Sequence, residues 1–481
     1  MQGDELTLIE KLSVRDRFND LFPAMATATQ SFREKQNVSV ILLYVLICLS
    51  LLIRFAYLSY PSQVVFDEVG FGKFVTAYGW TGERFFDIHP PHGKLLITAV
   101  AKIGGYHGSI NFANIGNVCA ESIAPLRFLP ALASSLIPAL VYILLFQLGA
   151  SNPAAFLGAV LITFDNAFVV QSRVIGLDMI LIFFILSSLS ALLASGTSEG
   201  VKKMSWIALS GMTSGLAVGT KFTGLAAVAL AIVILLDRFS RNKTLRLRLQ
   251  DVFHFGIFVG AATGIYLLGW VIHFHLLNLP GSGDAFFVPA GRLIQDTINL
   301  NHIMLNANAG IKATHPYSSF WWQWPMMVKP IYYWANGNNG IYLLGNPVLW
   351  WGVGGVFTWL MGYLIFGRAR NITTEHIADK SPMLWAPIAG YLISIIPLVP
   401  VDRPLFLYHY LPSLTFSLLA SVLWLDVTGF VRQTTIFKQR IGYYGIIGFC
   451  ILMFTALTPI TFGVSCLSQY QKILGWIRFG P

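Results

Sequence analysis

Long apolar stretches constrain this chain more than any other feature of its sequence. Eleven of them are predicted membrane spans. Most have close to the number of residues, about 20, that a helix needs to cross a bilayer. Only 11% of the residues are charged while 55% are hydrophobic, which excludes a soluble enzyme and predicts an all-α integral membrane protein. The spans lie at 38–58, 125–148, 153–167, 174–195, 205–219, 222–237, 252–275, 346–366, 383–399, 410–427 and 441–463. The spans at 205–219 and 222–237 meet at Thr220-Lys221, where one broken helix is the alternative.

The distribution of Lys and Arg predicts how the spans are oriented. With a cytoplasmic N-terminus, the dense basic clusters at 202–203 and 238–248 fall on the same, cytoplasmic side. The formal net charge of +10 therefore indicates topology rather than nucleic-acid binding. We predict a cytoplasmic segment at 1–37, a membrane domain at 38–463 and an outside tail at 464–481. The first segment is either amphipathic and membrane-bound or a flexible tail, and no cleavable signal peptide is expected.

Two of the predicted outside loops are long, at about 59–124 and about 276–345. Loops presented by a rigid bundle are where binding and catalysis concentrate, so we expect the functional site on them. The first loop contains an apolar stretch at 95–103 that is too short to span a bilayer. It predicts a helix lying along the membrane surface.

An adjacent acid pair, Asp67 and Glu68, follows the first predicted span. Carboxylates near a low-dielectric boundary are costly, so a specific role is expected. The residues alone leave two alternatives open: Asp67 caps the following helix, or it is a general base that faces an acceptor hydroxyl. Further on, Pro90-Pro91 between His89 and His92 predicts a rigid extended elbow, which by itself could be only a loop stiffener.

These two motifs carry a resemblance to a known family. FDEVGFGKF at 66–74 and FFDIHPPHGKLL at 85–96 resemble the first luminal loop of the protein O-mannosyltransferases, which are GT-C-class enzymes that use polyprenyl-phosphate-mannose. Further segments resemble the family in the same order: APLRFLPAL at 124–132, SRVIGLD at 172–178, VGTKFTGL at 218–225, HPYSSFWWQWPMM at 315–327 and LYHYLP at 407–412. The loop at 276–345 leaves no room for the β-trefoil insert of eukaryotic members, which indicates a bacterial-type member.

The resemblance implies a GT-C-type bundle that performs an inverting transfer of mannose from the lipid phosphate to Ser or Thr hydroxyls of proteins. Asp67 would be the base, and Glu68 would help to orient the acceptor or the sugar. The implied partners are the donor lipid, membrane lipids and secreted or membrane proteins, with the secretion translocon as a further candidate and no nucleic acid. The implied location is the cell (inner) membrane, with the site on its outer face.

Cations at the outer ends of spans are candidates to neutralise the donor phosphate. Arg127 and Lys221 occupy such positions, although snorkelling to lipid headgroups is the alternative role. An intramembrane Asp178 is a functional candidate, or it pairs with Arg173 or Lys221 for structure. Further donor-site candidates are Asp87, His89, Lys94, Arg403 and His409. Candidates for an acceptor or sugar groove are His315, Tyr317, Trp321 and Trp324, for which an interfacial aromatic belt is the alternative.

No metal or other cofactor is expected to be required, because neither the histidines nor the four cysteines show metal-ligand spacing. A divalent cation that holds phosphate stays the alternative. Two other functions stay open: a related transferase with another sugar or a lipid or glycan acceptor, and a transporter with Asp67, Asp178 and Lys221 on an ion path. The absence of an internal repeat argues against the transporter.

Overall fold

Helices make up most of the fold. The computed structural model describes residues 40–241, 244–312, 314–367, 384–431 and 437–464, so the predicted segment 1–37 and nearly all of the predicted tail 464–481 lie outside the described residues. The helices are α1 Val40–Phe55, α2 Glu68–Thr76, α3 His92–Ile103, α4 Ala124–Gln147, α5 Asn152–Thr163, α6 Asn166–Ser172, α7 Asp178–Gly196, α8 Gly200–Thr220, α9 Leu225–Arg241, α10 Leu245–Leu276, α11 Leu293–Ala309, α12 Val353–Gly362, α13 Trp385–Ile395, α14 Leu411–Val427 and α15 Phe437–Phe462.

Each predicted span coincides with helical structure, which confirms a multi-span membrane protein. Within the described residues, seven helices are long and apolar enough to cross a membrane. The number becomes eight if α5 and α6, which are bent by 57° at their junction, form one span. The segments Val40–Phe55 and Trp385–Leu398 are apolar but shorter. The predicted count of eleven spans is therefore not confirmed.

The chain turns back on itself between α8 and α9, so these are two helices and not one broken helix. Lys221 is extended at the turn (φ −148°, ψ 148°). A Cβ on Gly224 would lie 2.2 Å from the carbonyl oxygen of Ala217, so only glycine allows this close approach. At the far end of α9, Arg238 donates to Ser195 Oγ of α7 at 2.9 Å. The α7–α8 and α9–α10 connections thus share one end of the bundle.

This shared end carries both basic clusters, at 202–203 and 238–248, and we call it the basic end. The prediction that the two clusters lie on the same side is confirmed. The opposite end, which we call the loop end, carries Asp178 at the start of α7 and Lys221 at the α8–α9 turn. Both long connecting loops pack over the loop end.

The first long loop folds into α2 and α3, and α3 includes the predicted helix at 95–103. A small apolar core, which includes Val64, Phe71, Ile97, Phe112 and Leu126, fixes this loop on α4 and α7. A Cβ on Gly72 would meet the ring of Phe112 at 2.3 Å, so glycine lets α2 approach this core closely.

The second long loop contains α11 and a two-stranded antiparallel sheet, a small element that the sequence analysis did not predict in this mostly helical fold. The strands are β1 Ile331–Asn336 and β2 Asn339–Leu343. Asn336 pairs with Asn339, and Gly337 in the two-residue turn has φ +60°. Such tight hairpin turns require positive φ, which favours Gly and Asn. Two aromatic-rich runs on either side of Gly337-Asn338 were the available sequence signal.

Candidate active site

A cavity of about 300 Å³ opens at the loop end, between the first long loop, the α8–α9 turn and the connection that precedes α14. Six residues that the sequence predicts for the site meet there: Asp67, Asp87, His89, Lys221, Arg403 and His409. A smaller adjoining cavity of about 50 Å³ shares four of them and extends to Asp178 and Asn308. The tertiary structure therefore brings together side chains that are far apart in sequence. Asp67 and His409, for example, are separated by more than 340 positions.

Asp67 projects into this cavity instead of capping the helix that follows it. It occupies the N-cap position of α2, but its side chain accepts no capping hydrogen bond. The preceding residue, Phe66, has the unusual φ of +38°. Its backbone amide donates to Tyr333 O at 3.1 Å, and its ring stacks on that of Tyr333 at 4.4 Å. Strain of this kind persists only where surrounding contacts enforce it, and here it aims the carboxylate into the cavity.

The surroundings of Asp67 raise its pKa to about 7, far above the ordinary value of an aspartate. Burial is the largest cause, and nearby Asp178 and Asp87 raise it further. Lys221 and a hydrogen bond with Tyr408 lower the pKa and offset part of this effect. A carboxylate with a pKa near 7 is well matched to accept a proton from a hydroxyl at neutral pH.

A chain of hydrogen bonds links Lys221, one of the cations of the cavity, to Tyr333, the residue whose ring stacks on Phe66 next to Asp67. Lys221 Nζ donates to Asp178 Oδ1 at 2.7 Å, and Gln171 Nε2 donates to Asp178 Oδ2 at 2.8 Å. The hydroxyl of Tyr333 donates to Gln171 Oε1. Both oxygens of Asp178 are thereby occupied, and of the two pairings left open for it, the one with Lys221 is the one observed. This series of hydrogen bonds therefore couples the position of Lys221 to the stacked rings of Phe66 and Tyr333.

Replacing Tyr333 with Phe tests this chain. The ring can still stack on Phe66, but Gln171 Oε1 loses its donor in a buried site. We expect a loss of about 1–3 kcal/mol in the free energy of unfolding, because a buried polar atom is left unsatisfied. The measurement is reversible unfolding in detergent, with Tyr332→Phe as the matched control on the same strand. Equal stability of the two variants would show that the hydrogen bond has no such role.

Arg403 and the histidines supply further polar contacts in the cavity. Within the described part of the chain, no carboxylate forms a salt bridge with Arg403, so its charge is available to a ligand. Burial, Lys221, Lys94 and Arg403 all lower the pKa of His89, which is therefore neutral at pH 7. His409 Nδ1 lies 3.1 Å from both the amide nitrogen and the carbonyl oxygen of Phe406, so the backbone of that residue fixes the ring through this nitrogen.

Arg127 and Glu68 do not line this cavity, which corrects their predicted roles toward phosphate and acceptor. Both side chains are fully buried, and Arg127 Nε and Nη2 donate to the two oxygens of Glu68 at 2.7 and 2.9 Å. Arg127 also donates to three backbone carbonyls, and Glu68 accepts from the amides of Val65 and Ile175. Every polar group of the pair is used, so the pair ties α4 to the start of α2 and cannot reach a ligand.

Lys94 also differs from its predicted role at the donor. Its side chain is 1% exposed, and its ammonium pairs with Asp87 and donates to His89 O at 2.7 Å. Lys94 therefore stabilises the Pro90-Pro91 elbow through contacts with residues of the elbow itself, and not by reaching into the cavity. The residues that the elbow presents to the cavity are Asp87 and His89.

The predicted aromatic groove is only partly accessible. Trp324 is fully buried, donates to Ser319 Oγ at 3.1 Å and packs against the ring of His409 at 6.3 Å. Tyr317 is buried as well, so neither forms an open groove, which corrects their prediction. Trp321 is exposed, and His315 packs against Phe406 at 5.0 Å.

Sequence reasoning missed several residues of the site. Tyr408 lines the cavity and forms a hydrogen bond with Asp67. Asn308 lines the smaller adjoining cavity. Tyr408 falls within the LYHYLP segment, which was the available signal, whereas nothing in the sequence singles out Asn308. No three His, Cys, Asp or Glu side chains in the described residues are grouped as a metal ion requires.

Two sequence models of one family match the chain in succession. One, described as dolichyl-phosphate-mannose-protein mannosyltransferase, matches residues 44–278. The other, described as the C-terminal four TMM region of protein-O-mannosyltransferase, matches residues 293–479. Together they cover most of the chain.

Curated relatives carry related names. The dolichyl-phosphate-mannose–protein mannosyltransferase 4 of Schizosaccharomyces pombe is 32% identical over 273 residues, which are 54% of this chain and 35% of that protein. The protein O-mannosyl-transferase 2 of Danio rerio is 32% identical over 277 residues, which are 55% of this chain and 36% of that protein. The chain thus spans about a third of the length of these relatives.

Solved structures share the fold. The S. cerevisiae protein O-mannosyltransferase Pmt1-Pmt2 complex bound to the sugar donor matches with a TM-score of 0.84 at 19% identity, covering 92% of this chain and 93% of that chain. ArnT from Cupriavidus metallidurans in the apo state matches with a TM-score of 0.51 at 12% identity, covering 89% and 77%. The fold is that of the GT-C membrane glycosyltransferases. By its two matching family models, the chain belongs to the protein O-mannosyltransferase family.

Proposed function

We propose that this chain transfers mannose from a polyprenyl-phosphate-mannose lipid to Ser or Thr hydroxyls of proteins. The observation that carries the proposal is the arrangement of the cavity. One carboxylate, Asp67, has a pKa of about 7 and faces a space that also holds two cations, Lys221 and Arg403. A base and two positive charges are what the transfer of a glycosyl group from a phosphate to a hydroxyl requires.

The residues assign roles in an inverting displacement. Asp67 accepts the hydroxyl proton while the acceptor oxygen forms a bond to the anomeric carbon of mannose. The bond from that carbon to the phosphate oxygen breaks, and the electron pair leaves with the polyprenyl phosphate. Lys221 and Arg403 neutralise the phosphate, and the neutral His89 and His409 donate hydrogen bonds. Fixed donors and charges of this kind stabilise the developing anion without reorganisation.

The other carboxylates of the cavity support inversion over double displacement. A retaining mechanism needs a second carboxylate free to act as a nucleophile. Asp178 is held by Lys221 and Gln171, and Asp87 is held by Lys94. Among the described cavity residues, Asp67 is therefore the carboxylate without an ion-pair partner within salt-bridge distance.

We place the reaction at the outer face of the cell membrane, with the N-terminus cytoplasmic. The support is that the basic clusters and the cavity lie at opposite ends of the bundle, and basic connections favour the cytoplasmic side. The acceptors would be secreted or membrane proteins that present Ser or Thr, and the secretion translocon is a proposed partner. We propose no required metal. No observation supports the transporter alternative.

The test is transfer of labelled mannose from polyprenyl-phosphate-mannose to Ser/Thr-containing peptides by the purified protein in lipid vesicles. We expect products whose anomeric configuration is opposite to that of the donor, and transfer that continues in the presence of a chelator. The matched control offers polyprenyl-phosphate-glucose as the donor. Transfer of glucose but not mannose would contradict the donor assignment, and modification of a lipid but not of the peptide would contradict the acceptor assignment.

A further inference from the structure

A second and larger cavity, of about 360 Å³, lies beside the catalytic one along α2. We call it the flanking cavity. It is formed by both long loops, and its polar lining consists of Lys73, Thr76, Thr81, Glu83, Arg84, Asn111 and Ser282. Neither the hydrogen-bond chain behind Lys221 nor the proposed reaction uses any of these residues. The flanking cavity therefore needs an explanation of its own.

The two cavities share one wall. Phe74 lines both of them, and its ring stacks on that of Phe85 at 4.4 Å. Lys94 Nζ lies 5.6 Å from the centre of the Phe74 ring and 5.9 Å from that of Phe85. Lys94 is itself paired with Asp87 of the catalytic cavity. The wall is thus fixed by cation–π and ion-pair contacts, and a ligand in one cavity is a direct neighbour of a ligand in the other.

The shape of the flanking cavity is held by contacts between the loops. Arg84 Nε and Nη2 donate to the two oxygens of Asp284 at 2.5 and 3.1 Å. Arg84 N donates to Leu279 O at 3.0 Å, and Gly283 N donates to Arg84 O at 2.9 Å. A bidentate ion pair supported by backbone hydrogen bonds keeps Ser282 opposite α2. The cavity is therefore a preformed feature of the fold.

The polar groups of the flanking cavity suit a particular class of ligand. Within the described residues, Lys73 and Glu83 form no salt bridge, so one charge of each sign is available. Asn111 Oδ1 accepts from Ala113 N at 2.9 Å, which leaves its NH2 group to donate. A polyprenyl chain has no polar group to pair with Lys73 or Glu83, and a phosphate could pair with Lys73 but would leave Glu83 facing a like charge. Mixed charges, hydroxyls, an amide and aromatic walls fit a polypeptide.

Geometry sets which part of a polypeptide would reach the cavity. Lys73 and Thr76 lie six and nine residues beyond Asp67 on the same helix, which is about 9–14 Å at 1.5 Å per residue. An extended chain covers that distance in about three or four residues. We infer that the flanking cavity binds the acceptor polypeptide three to four residues away from the hydroxyl that is modified. This inference rests on the proposed function, because it takes the acceptor to be a polypeptide.

Filling the cavity tests the inference. Ser282→Trp places a large ring in the flanking cavity, and Thr81→Trp does the same from the first loop. Asn114→Trp is the matched control, because Asn114 is exposed on the same face but does not line the cavity. Each variant is assayed with a short peptide, which has one residue on either side of the acceptor Thr. It is also assayed with a long peptide, which has about five residues on either side and spans the distance in extended form.

We expect Ser282→Trp and Thr81→Trp to raise KM for the long peptide about tenfold, the size of a moderate loss of binding contacts. KM for the short peptide, KM for the donor and the control variant should not change. Unchanged short-peptide kinetics also show that each variant is folded. An equal effect on both peptides, an effect on donor KM alone, or no effect of either substitution would overturn the inference.

Binding measurements separate this inference from the proposed function. The anisotropy of a fluorescent long peptide reports binding to the protein in vesicles without any transfer. If the unaltered protein transfers no mannose, the proposed function fails. Weaker binding of the peptide to Ser282→Trp than to Asn114→Trp would still support a polypeptide subsite. If mannose is transferred but neither Trp variant distinguishes long from short peptides, only the subsite inference fails.

Discussion

Asp67→Asn is expected to lower kcat for mannose transfer by about 10²–10⁴-fold, which is the range over which a positioned general base contributes. Asn has the same shape as Asp but cannot accept the hydroxyl proton. Because burial and two neighbouring aspartates already disfavour the ionised form of Asp67, its replacement should not destabilise the fold. The measurement is transfer in vesicles together with the unfolding temperature of each protein.

Glu199→Gln is the matched control for this substitution. It also removes one carboxylate, but Glu199 is exposed at the basic end, where it precedes α8. We expect full activity from it. Transfer by Asp67→Asn at an undiminished rate would remove Asp67 from the chemistry. A fall in the unfolding temperature that accounts for the lost activity would make Asp67 a structural residue instead.

The same carboxylate should set the pH dependence of the reaction. Asp67 works only when it is deprotonated, and its pKa is raised to about 7. Activity should therefore be full above pH 7, and kcat/KM should fall about tenfold per pH unit below it. A profile that stays flat down to the ordinary pKa of an aspartate would show that Asp67 is not the desolvated base.

Breaking the pair of Arg127 and Glu68 should have the largest effect on stability. Both side chains are completely buried, and two hydrogen bonds of 2.7 and 2.9 Å join them. Removing one partner leaves an uncompensated charge, so Arg127→Met and Glu68→Gln should each lower the free energy of unfolding by about 3–5 kcal/mol. The measurement is chemical unfolding in detergent, supported by the yield of folded protein from membranes.

The double variant Glu68→Gln/Arg127→Met distinguishes a structural pair from a ligand-binding residue. Because the two charges are removed together, it should be more stable than the sum of the single effects allows. It should not reach the stability of the unaltered protein, because the three carbonyls bound by Arg127 lose their donor. If Arg127→Met instead raised donor KM with unfolding unchanged, Arg127 would belong to the donor site.

Much of the membrane architecture could be predicted from the sequence. A run of about 20 apolar residues has few alternatives to a spanning helix, because every backbone polar group must be bonded within the bilayer. The clustering of Lys and Arg likewise predicted which connections share one end of the bundle. The hairpin β1–β2 was missed because its strands have only six and five residues and lie within a long connecting loop, where so short a run gives little periodicity.

The sequence by itself determined the helices, the shared side of the basic clusters, the position of Asp67 on the first long loop and the family motif that carries it. It could not determine which member of an adjacent pair performs which task. Asp67 faces the cavity and Glu68 faces Arg127 because the strained backbone at Phe66 and the stack on Tyr333 fix their directions. Those contacts come from the distant second loop. Only the tertiary structure could decide them, because a carboxylate becomes a base or a structural anchor through the charges and the solvent that surround it.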